Sequence, residues 1–106
     1  MTNPVKPEDC TTMAEVRDGI DALDAAIVAT IGDRFRYIEA AARIKQRRDD
    51  VRDETRKAQV IDHAAEVARQ VAVPEALIRE IYELMIEASI AHELDRFDAR
   101  QPSASG

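Results

Sequence analysis

An all-α fold of three helices, one long and two shorter, is what this chain predicts, and three observations carry the prediction. Apolar residues recur at steps of three and four from Met13 to about Arg47 and again in two later stretches, which is helical spacing. No run of alternating β-branched residues suggests a strand. The 3 Gly and 4 Pro lie mostly near the ends or between the periodic stretches, where they punctuate rather than interrupt.

The first helix carries the seam Met13, Val16, Ile20, Leu23, Ile27, Ile31, Phe35, Ile38 and Ala42. Thr11 or Thr12 can accept from its first free amides, and Glu15 stands three residues after Thr12 as a capping box requires. At 1.5 Å rise per residue a helix from Met13 to Arg47 is roughly 50 Å long, whereas a compact domain of this size has a radius of gyration near about 13 Å. One copy cannot cover that rod, so an intertwined homodimer is expected. Gly19 and Gly32 each cost roughly 1 kcal/mol against Ala inside a helix. Either a second helix approaches closely there, which the unbroken phase of the seam favours, or the single rod is weakened.

The stretch QRRDDVRD from Gln46 to Asp53 is almost devoid of apolar residues and reads as a solvated polar turn. A second helix starts near Asp53 or Thr55, with Val60, Ala64, Val67 and Val71 on one face. Pro74 then disfavours helical geometry at Val73 and suits the start of a third helix, from about Glu75 to Phe97. That helix has two apolar stripes, one with Ile78, Ile81 and Met85 and one with Tyr82, Ile86, Ser89 and Ile90, so most of its circumference should be buried. The expected organisation is a flexible arm over residues 1–10, one helical domain over 11–98 and a flexible tail over 99–106.

Composition narrows the function. A net charge of −6 argues against nucleic acid or an acidic membrane as the main partner, and no apolar run approaches the length of a membrane span. The single Cys10 excludes an intrachain disulfide, and with no signal-peptide pattern ahead of it a cytoplasmic location is expected. No Ser/His/Asp pattern, glycine-rich phosphate loop or HExxH is present, and His63 and His92 have no metal-like spacing with each other or with Cys10.

Against that acidic background, several cations lie where apolar residues point. At 100° per residue, Arg34 falls about 20° from Ile27 and 40° from Ile38, and Lys45 about 20° from Ile38. Arg56 shares the face of Val60 one turn away, and Arg17 sits at the seam's edge, about 60° from Ile20. For any one of them the ordinary explanation is a stem laid over apolar surface with its head in water. Four together favour a specific anion site. Glu93 falls on the Ile86 and Ser89 face, where a carboxylate is unexpected. It is either half of a structural ion pair with one of these cations or a carboxyl kept protonated so that it can donate a hydrogen bond; burial opposes its ionisation and nearby cations favour it.

The segment PEDCTTMAEVRDGIDALDAAIVATIGDRFRYIEAAARIK, with its PEDC entry and R-x-x-I-D-x-L-D pattern, resembles the all-helical chorismate mutases, and most closely their branch containing isochorismate-pyruvate lyase. The resemblance runs from about Pro7 to Phe97, specific in the first segment and a matter of spacing in the second and third helices. It implies a chorismate mutase-type helical homodimer. It places the arginine contributed by the partner chain at Arg17, the two central cations at Arg34 and Lys45, and the second-helix arginine at Arg56. Asp53 falls where some mutases use an acid near the substrate's ring hydroxyl, and Ser89 where a hydroxyl in certain mutases assists one carboxylate. Where many members have Gln, this chain has Glu93; mutases with Glu there need it protonated.

The implied ligand is a small dicarboxylate, chorismate or isochorismate, handled without metal or cofactor. Rearrangement of chorismate to prephenate is the leading expectation. The alternatives are isochorismate-pyruvate lyase, mutase activity on 4-amino-4-deoxychorismate, and a non-catalytic helical dimer that binds a partner or senses a metabolite.

Overall fold

The computed structural model describes residues 3–100, and within them the chain is helical with no strand: a 3-10 turn at Pro7–Asp9, α1 at Met13–Ile44, a second 3-10 turn at Arg48–Asp50, α2 at Glu54–Gln70 and α3 at Glu75–Arg100. Two compact units divide it inside α1, at Met1–Arg36 and Tyr37–Gly106. No helix among the described residues is long and apolar enough to cross a membrane.

In the first unit, α1 opens on a reciprocal cap. Thr12 Oγ1 accepts from the Glu15 amide at 3.2 Å, while Glu15 Oε1 accepts from the amides of Thr11 at 3.0 Å and Thr12 at 3.1 Å and from both threonine hydroxyls. Four donors on one carboxylate, led by the Thr11 amide, hold Glu15 below the usual carboxylate range and favour its ionised form beside the positive end of the helix. Residues 3–10 run alongside this start, and Pro4, Val5, Cys10, Val16, Ile20 and Leu23 are among the lining of an open apolar groove of about 510 Å³. The close approach anticipated at Gly19 and Gly32 is not made by this chain, because a Cβ at either would meet nothing within 4 Å.

The second unit holds the core. Val51, Ile86 and Ile90 form its centre, with Val60, Ile61, Tyr82 and Leu94 packed around them. Ala64, Ala65 and Ala68 are buried, small side chains that let the backbones of α2 and α3 come close. The polar turn before α2 is not wholly solvated as its composition suggests. Its single valine, Val51, is 4% exposed and follows the 3-10 turn that packs on α3, so one apolar residue in eight pins the segment to the core. α1 ends at Ile44, short of the expected Arg47, with the Lys45 amide still bonded to Ala41 O at 2.9 Å.

Asp53 caps α2 by accepting from the Arg56 amide at 2.9 Å. The other end of α2 closes with Val73 N–H on Ala68 O at 2.9 Å and Ala72 N–H on Arg69 O at 3.4 Å, the paired bonds of a Schellman motif. Its left-handed residue is Ala72, at φ 59°, where glycine is usual, and this costs on the order of 1 kcal/mol. α3 then begins at Glu75 and continues to Arg100, two residues into the segment expected as a tail; residues 101–106 of that segment lie outside the described residues.

Candidate active site

Glu93 is the residue around which a site can be built. It projects from α3 into the second unit at 4% exposure, one helical turn after Ser89, which is 3% exposed. A buried carboxylate loses its hydration and must be compensated. Lys45 approaches from the turn after α1 and places Nζ 2.7 Å from Glu93 Oε2. The approach is close enough for an ion pair but does not meet hydrogen-bond geometry, so that oxygen has no aligned donor among the described residues. The Lys45 side chain keeps 29% exposure, so its ammonium is pointed inward yet reachable. A buried carboxylate thus stands beside a partly exposed ammonium in the second unit.

Ser89 shares this surface but turns its hydroxyl back along the helix, donating to Met85 O at 2.7 Å. Beside Glu93, His92 Nε2 lies 2.7 Å from Glu39 Oε2, and Arg96 Nε lies 3.5 Å from the same oxygen. The His92 hydrogen bond, with smaller contributions from Arg96 and Arg43 and against the opposing effect of burial, holds the Glu39 carboxylate below its ordinary range. His92, which has no metal-like spacing, thus ties the end of α1 to α3.

Lys45, Ser89 and Glu93 all belong to the second unit, and the ion pair brings the first and last of them together. Asp53 and Arg56 are also in that unit but exposed, joined through the carboxylate–amide bond that caps α2. Arg17 and Arg34 belong to the first unit, Arg17 exposed and Arg34 partly buried on α1. Two elements near the site escape sequence reasoning. One is the Glu39, His92 and Arg96 cluster; the other is the attachment of the Lys45 turn to the end of α3 through Arg48, Asp98 and Arg100. Both join residues some fifty positions apart in the chain, and no local spacing signals such a pairing. No group of three or more His, Cys, Asp or Glu among the described residues is placed to hold a metal ion.

Comparison with known proteins covers the same span. Residues 16–94 match the protein family described as chorismate mutase type II. The isochorismate pyruvate lyase of Pseudomonas aeruginosa is 30% identical over 88 residues, covering 83% of this chain and 87% of that protein.

Proposed function

The chain belongs to the chorismate mutase type II family, and on that footing we propose that it rearranges chorismate to prephenate in a homodimer with two equivalent sites. The observation that carries the reading is the buried Glu93 with Lys45 at 2.7 Å. In the reaction the ether C–O bond breaks as a C–C bond forms within the same molecule, so no nucleophile or redox partner takes part. The catalyst selects the compact chair-like conformer and stabilises the negative charge that develops on the ether oxygen. Lys45 donates to that oxygen from one side; Glu93, ion-paired with Lys45 in the free chain, donates from the other only in its protonated form. An ionised Glu93 would repel the developing charge.

Arg34 and Arg56, with Arg17 of the partner subunit, hold the two substrate carboxylates through charge-assisted hydrogen bonds. Ser89 assists one carboxylate by turning its hydroxyl away from Met85 O. Asp53 faces the ring hydroxyl while continuing to cap α2.

Cleavage of isochorismate to salicylate and pyruvate is the second reading, favoured by the name of the Pseudomonas aeruginosa relative and by the fact that the same cations suit both dianions. The test is product analysis of the purified protein given chorismate, isochorismate and 4-amino-4-deoxychorismate separately. Prephenate from chorismate is the expected product. Salicylate and pyruvate from isochorismate without prephenate would replace the first reading by the second, and turnover of the amino analogue alone would move the assignment to that substrate. No turnover of any of them would leave a non-catalytic binding dimer.

A further inference from the structure

Lys45 sits one residue beyond the end of α1, in a turn, so helix geometry alone does not fix its direction. Its backbone is nevertheless held on both sides. The amide donates to Ala41 O at 2.9 Å, and the carbonyl accepts from Arg100 Nη2 at 2.6 Å. Arg100 is itself placed by packing, with its guanidinium carbon 4.9 Å from the ring centre of Phe97, a core residue of 5% exposure. Three residues after Lys45, Arg48 Nε and Nη2 reach Asp98 Oδ1 and Oδ2 at 3.0 and 3.4 Å, a two-pronged contact from the same turn to the same end of α3.

We propose that Arg100, supported by Asp98, is a positioning residue: the last turn of α3 fixes the backbone of Lys45 so that its ammonium stays aimed at Glu93 and at the reacting oxygen of a ligand beside it. The inference rests on the reading of Lys45 as a donor given above. Lys45 has a long, flexible stem, and its head can be held to a fraction of an ångström only if the backbone from which it springs is fixed. The Arg48 and Asp98 side chains are each more than half exposed, and pairs in that setting contribute little to stability. Their geometric effect on one backbone position is worth far more, because a displacement of about 1 Å at a reacting group can cost as much as about a hundredfold in rate. The simpler account is that Arg100 only satisfies a carbonyl left over at the end of α1. That account predicts a lower melting temperature with turnover per folded molecule unchanged.

The experiment uses the full chain as parent, Arg100→Met, Arg100→Lys, Asp98→Asn, Lys45→Ala and the Lys45→Ala/Arg100→Met double variant. Arg100→Met keeps an apolar stem over Phe97 but removes the donor; Arg100→Lys restores a charged donor. Backbone amide NMR relaxation over residues 45–50 reads the clamp directly, and steady-state kinetics on the substrate found by product analysis reads its purpose. Expected are an ordered turn in the parent and a loosened one in Arg100→Met. With it, kcat should fall roughly tenfold while KM stays within about twofold. Arg100→Lys should recover most of the loss and Asp98→Asn should show a smaller one. The double variant should be no slower than Lys45→Ala alone.

Unchanged order in Arg100→Met, unchanged kcat despite a loosened turn, or a full additional loss in the double variant would each overturn the inference. Parental turnover by Lys45→Ala would instead overturn the assignment of Lys45 as the donor, and with it the catalytic purpose of the clamp. The relaxation measurement would then still report whether the clamp exists.

Discussion

The two units of this chain solve the same problem differently. In the second, α2, α3 and the turn before α2 bury Val51, Ile86 and Ile90 against one another, and even a carboxylate, Glu93, is enclosed. In the first, a helix of the same apolar periodicity leaves Met13, Ile20, Leu23, Ile27 and Val28 each more than half exposed, with Leu23 at 63% and Val28 at 69%. Contiguous apolar surface of that kind on a folded chain marks an interaction site. A single copy encloses a core in the second unit and none in the first, although Tyr37, Ile44, Val71 and Leu84 of the second unit are also exposed. This supports the proposed second copy, whose helices would cover the bare seam and whose Arg17 would enter the site.

The largest effect that could break this contrast is catalytic. On the proposed reading, Lys45→Ala in the second unit removes the charged donor to the breaking bond and should cost on the order of 3 kcal/mol or more in transition-state stabilisation with little change in folding. Arg17→Ala in the first unit should also be severely impaired, through a carboxylate of the substrate. The two inactive proteins, unfolded and refolded together, should regain partial activity, because a mixed dimer holds one site free of both changes. No recovery in confirmed mixed dimers would remove Arg17 of the partner subunit from the site.

A smaller effect sharpens the contrast by attacking association alone. Leu23→Asp puts a charge into the exposed seam, where burial against a partner would leave it without compensation; weakening by about 2 kcal/mol or more is expected. Sedimentation equilibrium should show a dimer in the parent and a shift to monomer in the variant. Monomeric parent protein with full activity would mean that the bare seam serves something other than a second copy.

How much of this was legible beforehand follows the same division. The helices and their starts were readable because their signals are local: Thr12 and Glu15 form the cap that their spacing predicts, Asp53 caps α2, and Pro74 directly precedes α3. The burial of Glu93 followed from its phase with Ile86 and Ser89, since a face can be computed from a period. Val51 was hidden by its neighbours, because a composition argument averages over eight residues and burial is decided by one. Neither the Arg100 bond to Lys45 O nor the Glu39 bond to His92 leaves any trace in spacing, since each depends on how two helices meet. Arg34, Arg56 and Arg17 were placed on faces by phase, and their roles toward a ligand come from family resemblance rather than from any contact between them.

The smallest expected effect belongs to the charged clasp that joins α3 to α2 and to the turn before it, inside the second unit. Glu87 receives Arg52 Nη1 and Nη2 at 3.1 and 2.8 Å and Lys57 Nζ at 2.8 Å, and these cations, Arg52 foremost, lower its carboxyl from 4.5 to about 2. A carboxylate depressed in the folded state contributes stability that is fully present above its unfolded value and lost as pH falls through the folded one. The contribution of Glu87 should therefore be complete at pH 7, decline below about 4.5 and vanish near 2. Its side chain is 40% exposed, so solvent screens the pair and the effect is modest. Glu87→Gln should lower the melting temperature at pH 7 by roughly a degree or two. Parent and variant curves should converge as the pH is lowered from 5 towards 3, even as other depressed carboxylates such as Glu75 and Glu66 weaken both proteins alike. A gap between the curves that stays constant down to pH 3 would show that Glu87 acts through packing and not through its charge.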